Sequence, residues 1–155
     1  MLTYDPWHAV PGLRHGFLGR SNGDGWDAAV AREGVHLPVR TARQVHGTRV
    51  EIAAAGPPRA ADGLVTATPG QLVGVVTADC MPVLLVDRGR RVAAAVHAGW
   101  RGAAARLLLT GAGTSRVAAL GPCTACGTGY SSYRRDGAGA GRQLSFVGWA
   151  SPPPG

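Results

Sequence analysis

The tightest constraint on this chain is a pair of apolar runs, Pro82–Val86 (PVLLV) and Arg91–Val96 (RVAAAV), joined by Asp87-Arg88-Gly89-Arg90. Two such runs flanking a polar turn, with Gly89 free to adopt positive φ, predict an antiparallel hairpin. If Arg88-Gly89 forms a two-residue loop, Asp87 faces Arg90, and counting back along the ladder brings Cys80 opposite His97. Directly paired residues share a sheet face at roughly 4.5–5.5 Å between Cα atoms, close enough for one metal ion to take both side chains. A one-residue slip would send the two to opposite faces. Pro82 has no N–H for the ladder, so a bulge or an edge position is expected nearby.

His46, in QVHG, joins Cys80 and His97 as a third residue placed where a strand-like run meets a turn. Neutral imidazole and thiolate satisfy zinc, and three protein ligands leave the fourth tetrahedral position to water or substrate, the arrangement of a catalytic site. The three are too far apart in sequence for a finger or HExxH pattern. Taken singly, each also has a plain reading: an isolated cysteine in an apolar stretch as a buried side chain, a histidine as a satisfied polar one.

Length and composition narrow the setting. With 155 residues, 45% of them hydrophobic, the chain suits one domain with a real core. Its longest apolar runs, LVGVV and PVLLV, are too short to cross a bilayer, and the N-terminus lacks the charged start and apolar stretch of a secretion signal. A cytoplasmic protein with no membrane partner is the expectation. Three cysteines make no disulfide framework and fit reduced thiols with metal or catalytic use. All 16 basic residues are arginine against 9 acidic ones, giving a net charge of +7 that would attract polyanions. The arginines are scattered, with doublets at Arg90-Arg91 and Arg134-Arg135 and no interleaved aromatics, which argues against nucleic-acid binding. Arginine's planar fork suits phosphate and carboxylate, so one or two of them are candidates for an anionic substrate.

Along the chain, HGFLGRSNGDG predicts a short strand followed by a loop, and Asp27–Glu33 a helix of at most two turns with Asp27 as N-cap and Gly34 as its stop. Thr41–Ile52, broken at His46-Gly47, reads as strand, turn, strand, and Ala53–Arg59 as a connector. Ala61–Val65 is a further apolar run, and Thr68–Gln71 a turn. Gln71–Val76 fits a buried strand delivering Thr77-Ala78-Asp79-Cys80 at its end. After His97, Ala98–Gly102 turns into a helical AAARLLL whose first N–H groups would favour an anion near the metal. VAALGP from Val117 reads as a short strand. By composition alone the residues from Cys123 onward form a poorly ordered tail, Leu144–Trp149 excepted. Within it, Cys123 and Cys126 (CTAC) suit half a zinc ribbon or a redox pair, with no second CxxC to complete the former.

QVHG, TADCMPV and HAGWRG, in this order, resemble the signature of the laccase-domain (polyphenol oxidase) family, whose members include zinc-dependent purine nucleoside phosphorylases. HGFLGR, ADGLVT, ALGP and CTAC followed by SYRRDGAGAGRQLSFV resemble the family's successive blocks. On that footing Ser132–Val147 is a closing strand and not a tail, residues 1–150 form a single catalytic domain, and 151–155 a flexible tail. The spacing departs from the family: the stretches between HGF and QVHG, after HAGWRG, and between Gly121-Pro122 and Cys123 are short, as if internal pieces were missing. The resemblance implies an α+β fold of layered mixed sheets with flanking helices, similar to the catalytic domain of cytotoxic necrotizing factor.

The same resemblance implies that His46, Cys80 and His97 bind zinc, with copper a weaker alternative. It places Arg20 against phosphate or the substrate's anionic side, puts Gln44 in the pocket wall, and makes Asp79 a supporting or acid/base residue beside Cys80. Each of these three also has a plain alternative: Asp79 as a turn cap, Gln44 as a ladder completion, Arg20 as a solvated charge. The implied reactions are phosphorolysis of adenosine, inosine and guanosine and deamination of adenosine, with Cys80, Asp79 and His97 as the catalytic group and Arg20 or Arg135 cradling phosphate. Two other readings stay open. Cys80 and His97 could form a metal-free thiol hydrolase, or the shortened chain could be an inactive remnant. Copper phenol oxidation is disfavoured because a multicopper site needs many histidines and the chain has 5.

Overall fold

The computed structural model describes residues 1–20, 25–99, 118–121 and 123–152. Two four-stranded sheets carry the fold. In the first, β1 (Leu13–Phe17), β8 (Gln143–Trp149), β5 (Gln71–Thr77) and β2 (Val39–Thr41) lie side by side in that order. In the second, the order is β3 (Val50–Ile52), β4 (Gly63–Thr66), β7 (Val92–Ala98) and β6 (Met81–Asp87). Both are mixed: β2 runs parallel to β5 and β3 parallel to β4, while every other neighbouring pair is antiparallel. The described helices are short: α1 (Asp5–His8), α2 (Trp26–Ala31) and α3 (Tyr133–Asp136). This is the expected α+β architecture of layered mixed sheets. The expected helix after His97 lies outside the described residues, and of the strand expected from Val117, residues 118–121 are described and join neither sheet.

The period-two alternation of the central strands sorts the core into two layers. Val73 and Val75 of β5, Val147 and Trp149 of β8, Leu64 of β4 and Ala93 and Ala95 of β7 pack together between the sheets. The opposite faces of β5 and β8 turn Leu72, Leu144 and Phe146 toward Ala29 and Val30 of α2. Six residues are too few for an independent helix, so α2 exists because these contacts bury its apolar side. Its N-cap is Gly25, not Asp27 as expected. The Asp27 carboxylate instead accepts from the Val39 N–H at 2.7 Å, tying the helix start to β2. Gly34 ends the segment with φ 79°, as its sequence position suggested.

The composition-based tail reading fails over 123–142, where α3 forms and Ser131 and Ser132 are buried. Leu144–Trp149, excepted from it, lies in β8, and of the closing strand expected over Ser132–Val147 only Gln143 onward is strand. All seven residues of β8 are buried, and β8 is antiparallel to β1 on one side and to β5 on the other. Composition misled over 123–142 because that segment is held by polar contacts, with Asp79 and Arg135 bonding its backbone groups.

The hairpin forms with a different register. Its loop is four residues long, Arg88–Arg91, so Asp87 pairs with Val92 and Pro82 with His97. Asp87 causes the shift: its Oδ1 accepts the Arg90 N–H at 3.0 Å, capturing the amide that a two-residue loop would have paired in the ladder. The left-handed position falls on Arg91, φ 52°, and not on Gly89. A slip of two residues preserves side-chain facing, so Cys80 still lies on the His97 side of the sheet. β6 is an edge strand, which is where the missing N–H of Pro82 does no harm. No described helix is long and apolar enough to cross a membrane.

Candidate metal centre

Two chain reversals and one strand build the site. Cys80 lies where the chain leaves β5 of the first sheet for β6 of the second, next to Asp79, which holds a left-handed φ of 77°. His97 continues the inward-facing alternation of Ala93 and Ala95 on β7. His46 sits in the turn between β2 and β3 with φ 59°, also left-handed. One ligand atom from each of His46, Cys80 and His97 lies within 4.8 Å of the other two. The imidazoles meet edge to face, their centroids 4.7 Å apart and their planes at 88°. His97 is buried and His46 exposed, so the trio opens to solvent on one side.

Asp62, just before β4, organises the trio. Its carboxylate accepts backbone N–H groups from three successive residues, Val45 at 3.3 Å, His46 at 2.9 Å and Gly47 at 2.7 Å. These bonds fix the turn in which His46 would otherwise be strained. The same carboxylate stands 2.9 Å from Nδ1 of His97, and the Asp62 carbonyl accepts the His97 N–H at 2.7 Å. A carboxylate only accepts, so Nδ1 carries a proton, which leaves Nε2 as the nitrogen available to a metal. Burial opposes ionisation of Asp62, but the bonds from His97, Gly47, His46 and Val45 outweigh it and hold the carboxyl below its ordinary value. Asp62 was missed in the sequence, although an acid inside the apolar ADGLVT run was the available signal.

The other expected site residues hold the frame. Gln44 donates to the Val76 carbonyl at 2.8 Å and accepts the Val76 N–H at 2.7 Å, extending the β2–β5 pairing with its side chain. Asp79 accepts from the Thr124 hydroxyl at 2.9 Å and the Arg134 N–H at 2.8 Å. Burial works against its charge, yet bonds from Ser132, Arg134 and Thr124 keep its carboxyl below the ordinary range. It thereby caps α3 from outside and pins the Cys80 turn to it. Burial, aided by the Asp79 charge, pushes the Cys80 thiol up. Arg20 pairs with Asp136 at 3.0 Å and donates to the Tyr130 carbonyl at 3.3 Å. Arg135 also grips Asp136 and spends its remaining donors on the carbonyls of Thr124, Gly127 and Tyr130.

A His, Cys, His trio steadied by a buried aspartate fits a zinc-type donor set, and the fold and trio together define an α+β domain with a candidate metal centre. The chain belongs to the multi-copper polyphenol oxidoreductase laccase family, whose pattern residues 26–110 match. It is similar to a purine nucleoside phosphorylase of Deinococcus radiodurans, 44% identical over 96 residues, which cover 56% of this chain and 38% of that one. It is also similar to a purine nucleoside phosphorylase of Mycobacterium tuberculosis, 56% identical over 65 residues, covering 39% of this chain and 25% of the relative. The chain thus spans well under half the length of these relatives. Among solved structures, YlmD from Geobacillus stearothermophilus superposes with a TM-score of 0.79 at 19% identity, over 92% of this chain and 93% of that one. YfiH of Bacillus licheniformis gives 0.77 at 19% identity, over 94% of each chain. At that identity the likeness speaks for the fold.

Proposed function

We propose that the chain is a zinc-dependent purine nucleoside phosphorylase, converting adenosine, inosine or guanosine and phosphate to free base and ribose 1-phosphate, with adenosine deamination as a second activity. The observation that carries this reading is the convergence of His46, Cys80 and His97 within 4.8 Å, with His97 held in its ligating tautomer by Asp62. The names of the relatives give the reaction class its support. Zinc bound there would supply Lewis acidity toward a bound group or a water of lowered pKa.

The chain's own residues divide the remaining work. Asp62 keeps the Nδ1 proton of His97 and the backbone of His46 fixed, so the donors are in place before substrate arrives. Asp79, engaged by donors from Thr124, Ser132 and Arg134, serves to position Cys80 more than to transfer a proton. Arg20, with 48% of its side-chain surface exposed, is the arginine offered to phosphate, and Asp136 aligns it. Arg135 supports this side indirectly by shaping the loop that precedes α3. Gln44 anchors the segment leading to His46.

The metal-free thiol hydrolase shares the closeness of Cys80 and His97, but a thiol pushed up by burial and by Asp79 is the reverse of an activated nucleophile. Copper phenol oxidation finds too few histidines at the trio, since His8 and His15 pack against each other instead.

The test is chromatography of free base released from inosine or adenosine with phosphate, and of inosine formed from adenosine. Zinc-loaded protein is expected to release base, and Cys80→Ala to lose about 100-fold or more of that turnover. Equal turnover by parent and variant, or an inert zinc-loaded parent, would overturn the proposal. Turnover that survives a chelator but not thiol alkylation would move the assignment to a thiol hydrolase.

A further inference from the structure

We infer that Cys123 and Cys126 form a dithiol that exchanges with low-molecular-weight disulfides and closes to an intramolecular disulfide on an exposed loop. The trio uses only Cys80 of the three cysteines, and the CTAC motif has no part in the function proposed above. Both Cys123 and Cys126 are exposed, so a small disulfide can reach them. Among the described residues no further His, Cys, Asp or Glu joins them in a metal-binding group, so thiol chemistry is left as their use.

The loop is already folded for closure. The Gly127 N–H donates to the Cys123 carbonyl at 3.3 Å, bending the chain back on itself. Arg135 donates to the carbonyls of Thr124 at 3.0 Å, Ala125 at 3.5 Å and Gly127, holding the inside of the loop. From the other side, the Thr124 hydroxyl donates to Asp79 at 2.9 Å. Clamped in this way, Cys123 and Cys126 share one folded turn, and less conformational entropy remains to be lost on joining them than in an open chain.

The two sulfurs also divide the roles. The Cys126 thiol, then the N–H groups of Cys126 and Ala125, then the charge of Arg134 hold the Cys123 thiol below its ordinary value. Cys126 is pushed up by the same pairing and by the charge on Cys123. The backbone N–H groups of Ala125 and Cys126 beside its sulfur single out Cys123 as the attacking thiol. Its thiolate attacks one sulfur of a disulfide RSSR; the S–S bond breaks, RS⁻ leaves with the electron pair, and Cys123 is joined to SR. Cys126, giving up its proton, then attacks the Cys123 sulfur and expels the second RS⁻. Two cysteine thiols are oxidised by two electrons to one disulfide, RSSR is reduced to two RSH, and the two cysteine protons end on the leaving thiolates.

The test equilibrates the full zinc-loaded chain with graded ratios of reduced to oxidised glutathione, quenches with alkylating reagent, and maps the thiols by mass spectrometry. As the mixture becomes more oxidising, the parent is expected to lose two of its three alkylatable thiols, both in the peptide carrying Cys123 and Cys126, with no glutathione retained. Cys126→Ser is expected to trap one glutathione on Cys123, and Cys123→Ser to acquire it several-fold more slowly on Cys126. Persistence of all three thiols at every ratio, a disulfide involving Cys80, or stable glutathione adducts on the unmutated parent would each overturn the inference. The measurement on the parent needs no variant to fold, and its outcome is independent of nucleoside turnover.

Discussion

Asp62 shows how much one side chain can hold in a site assembled from distant segments. Its two oxygens serve three backbone N–H groups and an imidazole, all within 3.3 Å, at only 2% exposure. Asp62→Asn keeps the shape but replaces one acceptor oxygen by an NH₂ that faces other donors. The substitution is expected to weaken zinc binding by about 10- to 100-fold in chelator competition. It should also cost about 1–3 kcal/mol in denaturant unfolding of the metal-free chain, because a buried donor is left without a partner. Unchanged affinity and stability would remove Asp62 from its organising role. At this scale the sequence was partly legible. His46, Cys80 and His97 could be named because their residue types and local turns suggest ligation. Asp62 could not, because its value comes from amides and a ring that the fold brings to it from 15 to 35 residues away.

At the scale of elements, the decisive strand is β8. Gly148 lies opposite Leu72 of β5, and a Cβ added there would stand 2.3 Å from the Gln71 carbonyl oxygen and 2.9 Å from the Leu72 Cα. Backbone cannot step aside as a side chain can. Gly148→Ala is expected to cost about 2 kcal/mol or more, read as a lowered denaturant midpoint. Gly139→Ala, where nothing lies within 4 Å, should shift it little. Equal midpoints for the two variants would contradict the packing of β8. The hairpin of β6 and β7 was readable as an element because its apolar runs and turn are local. Its register was not, since Asp87 capturing the Arg90 N–H competes with ladder pairing by a margin that spacing does not reveal.

At the scale of the whole molecule, the chain carries a net charge of +7, and acid adds to it. His15 is where this matters inside the fold. It is buried, packs against Trp7 and His8, and its Nε2 accepts the Tyr4 N–H at 2.9 Å. Burial first, and the charge of His8 second, lower its pKa from the usual 6.5. Above that ordinary value both folded and unfolded chains hold a neutral His15. Between it and the lower folded value, only the unfolded chain binds the proton, so stability falls as pH drops below about 6.5. His15→Gln is expected to flatten this part of the profile in urea midpoints measured from pH ~7.5 to ~5.5. An identical slope in parent and variant would exclude His15 as the source.

The sequence by itself determined the local choices: which runs become strands, where turns fall, that an edge strand receives Pro82, and which residue types can hold a metal. These follow from side-chain volume, backbone preference and donor chemistry, which act within a few residues. The tertiary structure decided the rest. It folded the polar segment ahead of β8 into α3 and its turns, shifted the hairpin by two residues, brought Asp62 under His46 and His97, and spent Arg135 on a loop. Each is a competition among groups distant in the chain, settled only when the sheets close and remove water from between them.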